Sequence, residues 1–317
     1  MQGCVDKLPH DRSHLLFNAN GVPRPTKLFQ DSIRRWLTAH LSDDCATDGN
    51  TGNIVEAVVV SKSAGVFSGR VPADLLFAEW FPSCDLTWNV EEGGKVKTGS
   101  QILSITGPSD SVLSCERVLL NILGRLSGIT TRTSEWVSKS GGVSIACTRK
   151  TAWGLMDKWA VHVGGGLTHR LSRTDALMIK ENDLSVIGSR EDIESAISSA
   201  ISSIDFDKSA AFVVIEVQDS AQAISAAQSW SENQKIREGT ERIVILLDNM
   251  GPHECRSAES LLRESGLRDW CILEGSGGVT LEGLHTWIES SMVDVISSSS
   301  VNMGVPSLDL SMLIGGS

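Results

Sequence analysis

The chain has 317 residues, of which 41% are hydrophobic and 21% are charged, a composition that excludes wholesale disorder and fits one large or two moderate domains. No apolar run approaches the roughly 18 residues that span a bilayer, and the polar N-terminus has no apolar signal segment, so we expect a cytoplasmic globular enzyme. The net charge of -11 argues against general binding to nucleic acids or anionic membranes, but it does not exclude a local basic site.

The first third of the chain predicts a mixed α/β domain. Apolar residues at helical spacing indicate helices over Lys27–Leu41 and Ala73–Phe81, and β-branched runs indicate strands at Val55–Val60 and Val66–Phe67. The glycines within residues 90–108 predict tight turns between further short strands.

From Glu116 onward, short β-branched runs alternate with helical stretches. One of the helices, Ser189–Ser203, begins with SRED, a capping serine followed by acidic residues. Strands that alternate with helices in this way predict a parallel sheet of at least six strands. The runs are Val143–Cys147, Ala176–Ile179, Ala211–Val217, Arg242–Leu247, Cys271–Leu273 and Val293–Ile296.

Polar side chains stand at the C-terminal end of each of these runs. In an α/β barrel, functional groups from many strands gather at one mouth, whereas a doubly wound sheet concentrates them at one switch point. The distribution therefore favours a barrel. The groups are Thr148-Arg149-Lys150, Lys180-Glu181-Asn182, Glu216, Asp248-Asn249, Glu274 with the glycines after it, and Ser297–Ser300.

Positive charge is concentrated between residues 117 and 180. This window of 64 residues contains ten Lys/Arg and three acids, a charge of +7, so the other 253 residues carry -18. Such a concentration in an acidic protein indicates a locally held anionic ligand. Lys139 and Lys158 are interpreted as solvated helix positions. The better candidates stand beside strand ends or glycines: Arg149, Lys150, His169, Arg170 and Lys180.

Two glycine-rich stretches point to ligand contacts. LEGSGGVT at 273–280 combines a strand, a glycine turn and a helix start, so its backbone N–H groups are suited to a phosphate. The serines at 297–300 lie one strand later and offer hydroxyls to the same group. The triple glycine 164–166 permits close backbone approach and precedes the His169-Arg170 pair.

These motifs, in this order, resemble the quinolinate phosphoribosyltransferase family. The resemblance extends over nearly the whole chain from about residue 15, and its most specific motifs are TRKT, GGG-x-x-HR and SGG. The segments that match are 116–129, 148–171, 175–183, 245–249 and 273–284.

The resemblance implies a two-domain α/β protein. An N-terminal α/β sandwich would comprise residues 1–118 with the tail 303–317, and an open α/β barrel of six or seven parallel strands would comprise 119–302, as in type II phosphoribosyltransferases. The implied reaction converts quinolinate and phosphoribosyl pyrophosphate to nicotinate mononucleotide, pyrophosphate and CO₂, with Mg²⁺, in de novo NAD biosynthesis. The implied assembly is a homodimer, or a higher oligomer, with shared active sites.

The resemblance also implies roles for individual residues. Quinolinate would be bound by Arg149, Lys150, His169 and Arg170, together with Arg117 from the other subunit. Lys150, Glu216 and Asp248 would be catalytic, and the two acids would face the ribose and Mg²⁺, directly or indirectly. Phosphoribosyl pyrophosphate would be bound by these acids and by Lys180, Ser276, Gly277, Gly278, Ser297, Ser298 and Ser299.

Three positions depart from the family pattern. Asp183 stands where a histidine is usual, and Trp153 stands where a proline is usual. The loop at 297–300 is all serine, whereas the family has a glycine there.

Three other functions fit these residues less well. A nicotinate phosphoribosyltransferase, or the molybdenum-associated relative on the same fold, would take a substrate that needs fewer cations. A Schiff-base lyase would need Lys150 or Lys180 desolvated among apolar neighbours, which Arg149 and Glu181 oppose. A binding protein without catalysis would be expected to lack Glu216 or Asp248, and both are present.

Overall fold

The computed structural model describes residues 8–20, 22–187, 193–205 and 211–315. The strands are β1 (Phe17–Asn18), β2 (Arg24–Pro25), β3 (Ile54–Ser61), β4 (Gly65–Val66), β5 (Asp85–Trp88), β6 (Lys95–Val96), β7 (Gln101–Pro108), β8 (Ser144–Ala146), β9 (Leu177–Ile179), β10 (Val213–Val217), β11 (Ile243–Asp248), β12 (Cys271–Ser276), β13 (Val295–Ser297) and β14 (Leu310–Ile314). The helices are α1 (Lys27–Asp43), α2 (Arg70–Trp80), α3 (Ser109–Ser138), α4 (Leu155–Val163), α5 (Glu181–Ile187), α6 (Ile193–Ser202), α7 (Ser220–Arg237), α8 (Gly251–Glu264) and α9 (Leu284–Ser290).

The described residues divide into two compact units. The barrel unit takes its residues from Met1–Asp11, Trp136–Arg149 and His169–Ser300, and the N-terminal unit from Arg12–Glu135, Lys150–Thr168 and Val301–Ser317. Helix α3 runs through residue 118 without a break. The domain boundary that we predict at this residue stays a prediction.

The N-terminal unit contains a four-stranded antiparallel sheet in the order β14-β3-β7-β5. Its edge strand β14 comes from the C-terminal tail and pairs with β3 from Leu310↔Ser61 to Ile314↔Ala57. The helix predicted over Lys27–Leu41 is confirmed as α1. Its N-cap Thr26 accepts a hydrogen bond from the backbone N–H of Phe29, which satisfies one of the otherwise unpaired amides of the first turn.

The barrel unit contains a six-stranded parallel sheet in the order β8-β13-β12-β11-β10-β9. Strands consecutive in the chain are neighbours from β9 to β13, and the last strand, β13, pairs with the first, β8. This circular order is that of an α/β barrel, not of a doubly wound sheet. Within the described residues, β8 and β9 do not pair, so the barrel is open. The predicted fold class is therefore confirmed, with six strands.

The helices of the barrel unit alternate with its strands, as predicted. The helix predicted over Ser189–Ser203 is described from Ile193 to Ser202, with Ile197 and Ile201 fully buried. Its predicted cap at Ser189 lies outside the described residues. Among the residues described, none of the helices has both the length and the apolar character that crossing a membrane requires.

Candidate active site

The strand register places the polar strand ends of the barrel unit on one face of the sheet. Glu216 on β10 and Glu274 on β12 both pair with Leu246 on β11. Two residues further along β11, Asp248 pairs with Ser276. Paired residues on neighbouring strands, and residues two apart on one strand, point to the same face. Glu216, Asp248, Glu274 and Ser276 therefore share a face.

Lys180, at the end of β9, belongs to the same group of side chains. Its Nζ forms an ion pair with Glu216, whose side chain is largely buried while that of Lys180 is partly exposed. Asp183, one of the departures from the family pattern, accepts a hydrogen bond from the backbone N–H of Lys180 at 3.0 Å. Its carboxylate thus fixes the turn between β9 and α5, where it holds the backbone that presents Lys180.

Arg170 is a buried cation among neutral hydrogen-bond acceptors. It is 5% exposed, and its guanidinium donates to the carbonyl of Ala176 at 3.3 Å and to the thioether of Met178 at 3.0 Å. Burial lowers the pKa of Arg170, and the positive charge of Arg149 lowers it further. Among the described residues, no carboxylate lies within ion-pair distance of it. Since buried charges are normally paired, this arrangement is suited to an anionic ligand.

Glu274 is fully buried between two histidines. His10 Nε2 lies 2.9 Å from Oε2 of Glu274, and His169 Nε2 lies 3.2 Å from each of its carboxylate oxygens. Complete burial alone would raise the pKa of Glu274, but the His169 and His10 rings outweigh it, and the pKa lies well below its ordinary value. The sequence does not point to His10, because a single histidine in a polar N-terminal segment has no motif or periodicity around it.

The spacing of three side chains would allow a shared metal ion, namely those of His10, His169 and Glu274. The backbone N–H of Arg170 donates to Nδ1 of His169 at 2.7 Å, so Nδ1 has no proton and Nε2 must carry it. A metal on Nε2 would require that nitrogen to lose its proton as well. The His169 ring therefore fits a hydrogen bond to Glu274 and does not fit a metal ligand.

The glycine turn after β12 approaches the end of β11 closely. Gly277 has φ +100°, and a Cβ atom on it would lie 2.3 Å from Oδ1 and 2.8 Å from Cα of Asn249, so only glycine fits there. Ser298 supports the same turn from the next strand, because its hydroxyl donates to the carbonyl of Val279 at 2.8 Å. Ser297 and Ser298 are buried, and Ser299 is half-buried.

Two of the predicted site residues belong to the N-terminal unit. Lys150 is exposed, and its carbonyl accepts a hydrogen bond from Nδ2 of Asn302 at 2.8 Å. Arg117 is an exposed residue of α3. The interpretation of Lys158 as a solvated helix position is wrong, because Lys158 is 2% exposed, whereas Lys139 is exposed as predicted.

Carboxylates at two neighbouring strand ends offer a candidate position for Mg²⁺. Glu216 and Asp248 lie on one face of β10 and β11, and carboxylate oxygens are the protein ligands that Mg²⁺ prefers, usually one or two together with substrate phosphates. Asp248 is held by a hydrogen bond from Nδ2 of Asn249 at 2.7 Å. The chemistry of this pair therefore fits a hard divalent cation.

Comparison with known proteins gives consistent matches over most of the chain. The family models for the quinolinate phosphoribosyl transferase N-terminal and C-terminal domains match residues 38–127 and 129–313. A probable nicotinate-nucleotide pyrophosphorylase [carboxylating] from Methanothermobacter thermautotrophicus is 32% identical over 90% of this chain and 99% of its own. Quinolinate phosphoribosyltransferase [decarboxylating] 1 of Nicotiana glauca is 34% identical over 82% of this chain and 73% of its own.

Solved structures show the same relationship. The crystal structure of NadC from Streptococcus pyogenes is 29% identical to this chain, with a TM-score of 0.75. The match covers 91% of this chain and 98% of that one.

Proposed function

The chain belongs to the quinolinate phosphoribosyltransferase family, and we propose that it transfers the phosphoribosyl group of phosphoribosyl pyrophosphate to the ring nitrogen of quinolinate. The products are nicotinate mononucleotide, pyrophosphate and CO₂, as in the de novo synthesis of NAD. One observation supports the proposal most directly. Arg170 is a buried guanidinium that has no carboxylate partner among the described residues and is repelled by Arg149, and a dicarboxylate would neutralise such a pair.

The quinolinate end of the proposed site uses cations of fixed geometry. Arg149 and Arg170 are suited to bidentate contact with the two carboxylates, and Lys150 supplies a further positive charge. His169 has both ring nitrogens within hydrogen-bond distance of protein atoms, Glu274 and the N–H of Arg170, so its contribution is to orient Arg170. Arg117, exposed on α3, would come from the second subunit.

The phosphoribosyl pyrophosphate end would lie along the ends of β9 to β13. The turn Ser276–Gly278 would bind the 5-phosphate through backbone N–H groups, with Ser297, Ser298 and Ser299 beside it. Lys180 would bind phosphate oxygens. Glu216 and Asp248 would face the ribose, where carboxylates stabilise the positive charge that develops as the bond to pyrophosphate breaks.

Mg²⁺ is proposed as the cofactor, with Glu216 and Asp248 as the residues that would hold it, directly or through water. When bound, Mg²⁺ neutralises charge on the pyrophosphate leaving group. Glu216 has a second task that does not depend on the ion, because it also fixes Lys180 through their ion pair.

The reaction is tested by measuring pyrophosphate release with quinolinate and with nicotinate, with Mg²⁺ and with excess chelator. We expect turnover with quinolinate and Mg²⁺, one CO₂ released per pyrophosphate, and loss of turnover in chelator. Equal or faster turnover of nicotinate without CO₂ from quinolinate would instead identify a nicotinate phosphoribosyltransferase. Full activity in chelator would remove Mg²⁺ from the proposal and leave the rest standing.

A homodimer with shared active sites predicts complementation between two inactive variants. We expect Arg117→Ala and Lys150→Ala each to abolish most activity. After subunit exchange, half the dimers are hybrids with one intact site of two, so about a quarter of the parental activity should return. Each variant exchanged with itself is the control. If subunit exchange is verified and activity does not return, Arg117 acts within its own chain.

A further inference from the structure

Two adjacent charged residues of α4 are buried in the N-terminal unit. Asp157 has no exposed surface and Lys158 is 2% exposed. Acids and lysines are almost never so buried unless they make specific partners, because desolvation of a charge is costly. Neither residue belongs to the proposed set of substrate contacts. Their burial is explained by the groups of this chain that they bind.

Asp157 holds the backbone just after Lys150. Its Oδ2 accepts hydrogen bonds from the backbone N–H groups of Ala152, at 2.8 Å, and Trp153, at 3.2 Å. The guanidinium of Arg125 donates to both carboxylate oxygens, at 3.0 and 2.8 Å, and stacks on the Trp153 ring with its carbon 5.1 Å from the ring centre. Asp157 thus fixes the segment that begins two residues after Lys150.

Lys158 holds the backbone just before His169 and Arg170. Its Nζ donates to the carbonyl of Thr168 at 2.6 Å. The Thr168 side chain is fixed as well, because its hydroxyl accepts from the backbone N–H of Arg12 at 2.8 Å. Thr168 has no exposed surface, so the residue from which the chain enters His169 and Arg170 is anchored on both its carbonyl and its side chain.

The end of α4 is itself locked against α3 by the triple glycine. A Cβ atom on Gly164 would lie 2.6 Å from Cβ of Thr133 and 2.7 Å from the carbonyl of Thr130. A Cβ atom on Gly166 would lie 2.8 Å from Val161. Contacts this close leave the segment between Lys158 and Thr168 little freedom to shift, so α4 is a rigid base for both attachments.

We propose that Asp157 and Lys158 are positioning residues for quinolinate: together they fix both segments that present its cations, the one after Lys150 and the one before His169 and Arg170. This inference rests on the proposed function. Neither side chain touches the substrate. Their effect is on the geometry of Lys150 and Arg170, so they act on quinolinate and not on phosphoribosyl pyrophosphate, which is assigned to the strand ends of the barrel unit.

The test uses the full-length protein with Lys158→Met, which keeps the length of the side chain but removes the donor to Thr168. We expect the KM for quinolinate to rise by about tenfold or more, as small misplacements of binding groups commonly cost. The KM for phosphoribosyl pyrophosphate should stay within about threefold. Lys158→Arg should recover most of the loss, because a guanidinium can donate to the same carbonyl. Lys139→Met, an exposed lysine in the same basic window, is the matched control and should resemble the parent.

Each outcome separates this inference from the proposed function. A parent protein without turnover of quinolinate overturns the proposed function. A parent that turns over quinolinate while Lys158→Met changes both KM values equally, or changes only the melting temperature, overturns the positioning role. If Lys158→Met does not fold, Asp157→Asn is judged by the same split between the two KM values.

Discussion

Replacing Arg170 with alanine is expected to weaken quinolinate binding by at least about tenfold and to change binding of phosphoribosyl pyrophosphate by less than about threefold. Removing one partner of a desolvated charge pair costs about 2–5 kcal/mol, because the other charge is left unpaired, and about 1.4 kcal/mol corresponds to a factor of ten. Arg170 is 5% exposed and has only neutral hydrogen-bond partners among the described residues, so a bound carboxylate would give its guanidinium a directly hydrogen-bonded counter-charge.

The measurement is a titration of the parent and of Arg170→Ala with each substrate separately. Arg173→Ala is the matched control, since it removes the same charge three residues away from an exposed position. A surface charge of that kind contributes under about 1 kcal/mol. If Arg170→Ala binds quinolinate within about twofold of the parent, the carboxylates are bound elsewhere and the site assignment fails.

The barrel could be predicted because its evidence is local. Each β-branched run is followed by its own polar residues, so the sequence shows both the strands and the strand end at which the functional side chains lie. Glu216 and Asp248 illustrate this, since each stands at or next to the C-terminal end of its own strand, and the strand register then places both on one face. The phosphate turn is equally local, because Gly277 adopts a positive φ that its neighbours in sequence already suggest.

The residues that hold the site residues in place could not be predicted, because their roles depend on contacts between parts of the chain that are not adjacent in sequence. His10 and Glu274 are 264 residues apart, and nothing near His10 in the sequence points to a buried carboxylate. The prediction for Lys158 is wrong for a related reason. A lysine on an amphipathic helix is usually solvated, and only the position of Thr168 beside its Nζ shows why this one is buried.

Asp183 shows how a departure from a family pattern can be understood locally. A carboxylate in this position accepts a hydrogen bond from the backbone N–H of Lys180, just before α5, as acidic side chains in the first turn of a helix commonly do. Trp153 has a comparable explanation, because its ring packs on the Arg125 guanidinium and adds cation–π contact. In both cases the substituted residue makes contacts of its own.

Glu274→Gln is expected to lower the free energy of unfolding at pH 7 by about 2 kcal/mol, within the range for hydrogen bonds to a buried charged group. The carboxylate is completely buried and lies within hydrogen-bond distance of both His10 and His169. Glutamine has nearly the same shape, so little of the loss comes from a cavity. Glu264→Gln removes the same charge from an exposed position of α8 and should change stability by less than about 0.5 kcal/mol.

The pH dependence identifies the charge as the cause. The pKa of Glu274 is depressed in the folded protein, so its ionised form stabilises the fold fully above the pKa of an unfolded glutamate, about 4.3. That stabilisation is lost as the pH falls below this value toward the depressed folded-state pKa. Urea unfolding of the parent and Glu274→Gln should therefore give a difference that is largest near neutral pH and shrinks below about pH 4. A difference of the same size at pH 7 and in acid would show that shape, and not the carboxylate charge between the two histidines, accounts for the loss.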